Sequence, residues 1–278
     1  MKRFLSELKF DGMAPTSIMF YKDVGHSQEG AKEVTSLLEA GAFDGPKPIR
    51  LMERLLTLAN LDGDSIVLDF FSGSGSTAHA VLKMNADKNR HCRFIMVQLP
   101  EVTTEDGTAF KSGFKNICEI GKERIRRAGN KIKDEAGLTA QELDIGFRVL
   151  KIADTNMNDV YYAAGEYTQD LISHMEGNIK PDRTDMDLLF GCLLDWGLPL
   201  SMPHTHEQID GFTVHTYNDG DLIACFAEKI SETAIREIAS RKPLRAVFRD
   251  SSFASSPEKI NVFEIFKLLA PNTNVRVI

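Results

Sequence analysis

The 278-residue chain has only four cysteines and a single tryptophan. Cys92, Cys118, Cys192 and Cys225 are scattered and form no Cys-x-x-Cys pair. That spacing argues against a zinc finger and offers no disulfide framework. Reduced thiols in a cytoplasmic protein are the expectation. No apolar run approaches the length of a membrane span, so no membrane partner is expected, and no signal peptide is expected at the start. Basic residues are the minority, 33 Lys and Arg against 40 Asp and Glu, for a net charge of −7. Such a chain is not expected to be the main surface for duplex DNA, which requires clustered cations against phosphates. One basic cluster exists, Lys122, Arg124, Arg126, Arg127, Lys131 and Lys133, on a helix from about Phe114. It reads as a solvated helix face, with contact to DNA or a partner as the sharper alternative. His204 and His206 flank Thr205 without a cysteine or further histidine at ligand spacing, so no metal site is expected there. Repeats and low-complexity tracts are also lacking.

The chain does carry a strand feeding a glycine turn. The apolar run Ser65-Ile66-Val67-Leu68 ends in Asp69, passes Phe70 and Phe71, and enters the small-residue loop Ser72-Gly73-Ser74-Gly75-Ser76-Thr77 before a helical pattern. In open α/β sheets, ligands bind in the crevice outside the carboxyl ends of the strands. Glycine suits such a loop because a ligand approaches the backbone closely. A phosphate loop is excluded, since Ser76 stands where that motif needs lysine. The third glycine of a dinucleotide fingerprint is replaced by Ala78, which leaves a weaker nicotinamide reading. Asp69 points elsewhere: a carboxylate at a strand end can accept hydrogen bonds from an ammonium group, such as that on the methionine tail of S-adenosylmethionine. Its bland reading is a turn or capping residue. Phe70 and Phe71 are expected in the core at the strand end, with one of them able to line an adenine pocket.

Upstream, Pro46-Lys47-Pro48 opens an amphipathic helix in which Ile49, Met52, Leu55 and Leu56 recur at helical spacing. Downstream, Cys92 to Glu101 reads as a second buried strand ending in polar groups. A residue there, some twenty-odd positions past the glycines, is where ribose hydroxyls are usually held.

The Pro46-Lys47-Pro48 helix, the Asp69–Thr77 loop and the run Phe94-Ile95-Met96-Val97-Gln98-Leu99-Pro100-Glu101, in that order, resemble the permuted adenine-specific DNA methyltransferases. The likeness is closest to the methylation (Mod) subunits of type III restriction-modification systems. Tyr21 to Glu33 and Phe248 to Ala254 resemble that family too, so the likeness runs nearly end to end. It implies a Rossmann-like α/β methyltransferase sheet, incomplete here, with a smaller mixed α/β domain after it. It implies S-adenosylmethionine as cofactor, with Pro46, Lys47, Pro48, Asp69, Phe70, Phe71, Ser72, Gly73, Ser74, Gly75, Ser76 and Thr77 around it and Gln98 or Glu101 at the ribose. Many relatives have Asp or Glu directly after the second strand, where this chain has Gln98; a carboxylate accepts two hydroxyls better than an amide does. The Asp/Asn-Pro-Pro-Tyr/Phe tetrapeptide with which the family polarises and stacks a flipped adenine has no counterpart in the sequence. The resemblance thus implies the C-terminal part of a Mod subunit, as a truncated product, one half of a split enzyme or an excised piece.

Four segments are expected. Residues 1–42 lead in, as the exit of a target-recognition region, with an amphipathic patch at Val34 to Leu38 and polar turns around Gly25 and Gly30. Residues 43–155 form the cofactor-binding part, closing on a strand at Phe147 to Ile152. Residues 156–182 are a linker with some helix. Residues 183–278 form a second α/β domain. In it, Phe212–Tyr217 and Leu222–Phe226 make a hairpin across Asn218-Asp219-Gly220-Asp221, later helices return parallel strands, and Trp196 is core. Two classes of function compete: a cofactor-binding half of an adenine methyltransferase, inactive alone, and a non-catalytic assembly module. Expected partners are DNA in the complete enzyme, a second copy of the chain, and the restriction (Res) subunit or a missing N-terminal half.

Overall fold

The computed structural model describes residues 15–137, 143–158 and 178–278. The chain divides into two compact units, Met1–Phe147 and Arg148–Ile278. Both mix helices and strands, the α/β class expected.

The first unit begins with helices α1 (Tyr21–Val24) and α2 (Ser27–Leu37). Gly30, expected in a turn, lies inside α2. A Cβ there would stand 2.2 Å from the Pro46 carbonyl oxygen, so glycine lets the helix meet the Pro46-Lys47-Pro48 segment. Helix α3 (Ile49–Leu58) follows Pro48, whose fixed φ suits a helix start. Strand β1 (Ile66–Asp69) and strand β2 (Arg93–Met96) pair in parallel, joined through α4 (Ser76–Lys88). The short α5 (Thr108–Lys111) and the long α6 (Ile117–Ala136) complete the unit. Asn116 caps α6 by accepting from the Glu119 amide.

Helix α4 is the centre of this core. Ala80, Val81 and Met84 pack with Ile49 and Leu56 of α3, while Ala78 and Leu82 pack with Ile125 and Ile132 of α6. Val67, Phe94 and Met96 turn their sides of the two strands toward these helices. The opposite side is bare: Ile66, Leu68, Ile95 and Leu99 are each at least half exposed. Parallel sheets normally bury both faces. The same bareness corrects the expectation for Phe70 and Phe71, which are 62% and 86% exposed because none of the described residues of this unit covers the strand end. The second strand is also shorter than read. Residues 147–152 form no strand; they find no neighbouring strand among the described residues to complete a ladder.

The second unit is a five-stranded mixed sheet with helices on both faces. Helix α7 (Asp185–Asp195) starts in a capping box between Thr184 and Asp187. The strands are β3 (His204–Ile209), β4 (Phe212–Tyr217), β5 (Leu222–Cys225), β6 (Arg245–Phe248) and β7 (Asn274–Val277), and they neighbour one another in that order. The first two pairings are antiparallel and the last two parallel, with α8 (Glu232–Ser240) and α9 (Ser256–Leu269) as crossovers. One face packs Val214, Ile223, Ala246 and Phe248 against Ile235, Ile238 and Phe266; the other packs Tyr217, Ala224 and Val247 against Leu188, Leu189 and Leu193 of α7. All four β5 residues are therefore buried. Trp196 packs against the α7 side of the core but is only half-buried, with the guanidinium groups of Arg245 and Arg276 5.8 and 5.6 Å from its ring centre. Most of the segment expected as a linker, residues 159–177, lies outside the described residues, as do residues 1–14 of the lead segment. Among the described residues no helix is long and apolar enough to cross a membrane, and all four cysteines are free.

Candidate cofactor site

The loop from Asp69 to Thr77 is held from four directions. Asp69 organises it from the strand end: Oδ1 accepts the Phe71 amide at 3.1 Å and Oδ2 accepts the Thr77 hydroxyl at 2.6 Å. The acid is thus a turn residue in this structure, and each oxygen keeps a further lone pair. From the segment just past β2, the Gln98 Oε1 accepts the Gly73 amide at 2.8 Å, and the Val97 carbonyl accepts the Ser72 amide. Gln98 therefore uses its amide oxygen on the loop itself. The Glu101 side chain is exposed and makes no hydrogen bond or ion pair among the described residues.

From the helix side, the Ser76 hydroxyl donates to the Lys47 carbonyl at 3.0 Å, tying the loop to Pro46-Lys47-Pro48. Pro46 and Pro48 are buried and Lys47 is exposed. From beneath, Arg124 Nη1 donates to Ser74 Oγ and Ser76 Oγ, both at 2.7 Å. Arg124 is fully buried, which corrects its placement on a solvated face. Its Nε and Nη2 have no hydrogen-bond partner; the nearest counter-charge is Glu33, at 3.9 Å. Burial pushes its pKa down to about 10, so the group stays charged. Glu33 accepts the Ile49 amide at the start of α3, and burial holds its carboxyl above the usual range. Arg126, Arg127, Lys131 and Lys133 do lie on an exposed face, with Arg126 and Arg127 paired to Glu123; Lys122 is partly buried and pairs with Glu119.

The two loop glycines have left-handed φ of +51° and +78°. A Cβ on Gly73 would stand 3.2 Å from the Phe43 ring; one on Gly75 would stand 3.3 Å from the Gly121 carbonyl of α6. Glycine at these positions therefore serves backbone conformation and close packing of the loop on α6. A cavity of about 450 Å³ elsewhere in the unit is lined by Glu33, Arg50, His79, Lys83 and Lys131 but by none of the loop residues.

The loop gathers Lys47, Asp69, Ser72 to Thr77 and Gln98 into one bonded network. Phe70 and Phe71 project from it into solvent, and Glu101 lies past the end of β2. Sequence reasoning missed Arg124 as the loop's support; the mixed polarity of α6 gave no sign of which cation faces inward.

Residues 15–130 match the family described as DNA methylase. The chain is 37% identical over 134 residues to the StyLTI Mod subunit of a type III restriction-modification enzyme from Salmonella typhimurium, covering 48% of this chain and 20% of that protein. It is 30% identical over 254 residues to the EcoPI Mod subunit of Escherichia phage P1, covering 88% and 38%. To the EcoP15I Mod subunit of Escherichia coli it is 31% identical over 222 residues, covering 78% and 32%. The chain thus spans between a fifth and two fifths of the length of these curated relatives. Loop, order of motifs and similarity agree that the chain belongs, through residues 15–130, to the DNA methylases and is related to the Mod subunits of type III restriction-modification enzymes.

Proposed function

We propose that the first unit is the S-adenosylmethionine-binding part of a DNA adenine-N6 methyltransferase of the type III restriction-modification class, built on a Rossmann-like sheet that this chain supplies only in part. The observation that carries it is the loop network: an acid at the strand end with spare lone pairs, two left-handed glycines and the first turn of α4, all fixed by Arg124 and Gln98. These residues fit the cofactor chemically. Asp69 suits the ammonium of the methionine tail, the amides at the start of α4 suit its carboxylate, and the exposed Phe70 or Phe71 offers an apolar face for adenine. With Gln98 engaged by Gly73, the ribose falls to Glu101. When bound, S-adenosylmethionine supplies the methyl group; these residues only hold and orient it.

Without an Asp/Asn-Pro-Pro-Tyr/Phe segment the chain has no means to polarise an adenine amine, so it is proposed to be inactive alone. Completion by a catalytic half, a second copy or a Res subunit, with DNA as substrate, goes with this role, as does a cytoplasmic location. Calorimetry with S-adenosylmethionine or its demethylated product tests the reading. Weak one-to-one binding is expected, with Glu101→Ala lowering affinity roughly tenfold, the value of a lost charge-assisted hydrogen bond. No binding by the folded chain would overturn it and favour an assembly module. Transfer of labelled methyl to DNA by the purified chain would refute the inactivity.

A further inference from the structure

The second unit holds three histidines that the sequence spacing did not bring together. His204 and His206 lie two apart on β3 and so share a face of the sheet; the register places His215 of β4 directly opposite His206. The ring centres are 5.3 Å apart for His204 and His215, 6.3 Å for His204 and His206, and 6.2 Å for His206 and His215. Behind them, Asp185 at the start of α7 accepts from His215 Nε2 at 3.3 Å. If His215 carries its proton on Nε2, its Nδ1 presents a lone pair. His204 Nε2, 3.1 Å away, then donates to it. One proton sits between two ring nitrogens.

We propose that His204, His206 and His215, oriented by Asp185, form a site for one zinc-like divalent transition-metal ion. The ion takes the place of the shared proton: through solvent His204 exchanges its Nε2–H for an Nδ1–H, staying neutral, and both facing nitrogens give their lone pairs to the metal. Two nitrogen ligands of a tetrahedral zinc stand about 3.3 Å apart, and their ring centres about 5 Å apart. The His204–His215 pair already has nearly that spacing. His206 is about 1 Å too distant, so among the described residues no three ligands converge as the side chains stand. His206 is exposed on the edge strand β3, and the site requires its side chain to turn toward the other two rings. The Asp185–His215 bond is the carboxylate–histidine arrangement that fixes ring orientation and raises ligand basicity at zinc sites.

Calorimetric titration of the full chain with zinc chloride, and with cobalt(II) followed by visible absorption, tests the site. One ion per chain is expected, with a tetrahedral cobalt spectrum. His206→Ala and His215→Ala should each weaken binding at least tenfold, and Asp185→Asn about tenfold with all three rings intact. Because His215 is buried, His206→Ala is the variant that stays decisive if the other unfolds. No one-to-one binding, or binding unchanged in His206→Ala, overturns the proposal.

Discussion

His79 makes the first unit acid-sensitive in a way that can be isolated. It sits on α4, 8% exposed, with Nδ1 buried and lacking a hydrogen-bond partner. Burial, helped by the charges of Arg124, Lys83 and Lys131, lowers its pKa from 6.5 to about 3. The native ring is then neutral above about pH 3, whereas the same ring in the unfolded chain takes up a proton below about 6.5. Between those limits the unfolded state binds the extra proton, so stability falls as pH falls; above 6.5 the effect is absent. For one such group the loss at pH 5, relative to pH 7.5, is about 2 kcal/mol, from 1.36 kcal/mol per pH unit over the 1.5 units below 6.5. Carboxylates titrate in the same range, so the comparison is with His79→Leu, which keeps the volume and removes the proton site. Urea unfolding followed by far-UV circular dichroism at pH 7.5, 6 and 5, with hydrogen exchange read on residues 76–88, should show the wild type losing about 2 kcal/mol more than the variant. A difference that stays flat from pH 7.5 to 5 would mean that the ring is protonated or wet in the native state, and the reasoning would fail.

Gly75→Ala forces a side chain into φ +78° and toward the Gly121 carbonyl, and should destabilise the first unit by about 1–2 kcal/mol; a melting temperature equal to wild type would refute the packing argument. The segment from Arg183 to Ile278 is expected to fold as a separate cooperative domain. Trp196, the only tryptophan, reports on it through fluorescence, and a broad, non-cooperative transition in denaturant would count against the division.

Particular residues decide how far the sequence could be read. Phe212 to Tyr217 and Leu222 to Phe226 are apolar or aromatic runs around an Asn-Asp-Gly-Asp turn, and they form β4 and β5 almost to the residue. Strand β3 is not legible in the sequence: His204-Thr205-His206-Glu207-Gln208-Ile209 is polar because it is an edge strand, exposed on both sides from Thr205 to Gln208. That omission hid the meeting of His206 with His215, which depends on register alone. The Asp69–Thr77 loop could be read because each residue type serves a local need of the turn. The engagement of Gln98 by the Gly73 amide could not, since it joins positions 25 apart through a side chain whose composition says nothing of its partner. Phe70 and Phe71 read as core from the sequence because they are large and apolar, a rule that assumes a sheet with strands on both sides of β1.

The strand order of the second unit, each strand beside its predecessor from β3 to β7, bears on how that unit forms. Every strand pairing closes a short loop or a single helical crossover, so the loop-closure entropy of each step is small. Contacts local in sequence favour rapid folding. As the chain is synthesised, each new strand finds its neighbour already made, and no strand waits for a distant partner. The sheet can grow in one direction, from the hairpin to the final strand at Asn274–Val277, which closes against β6.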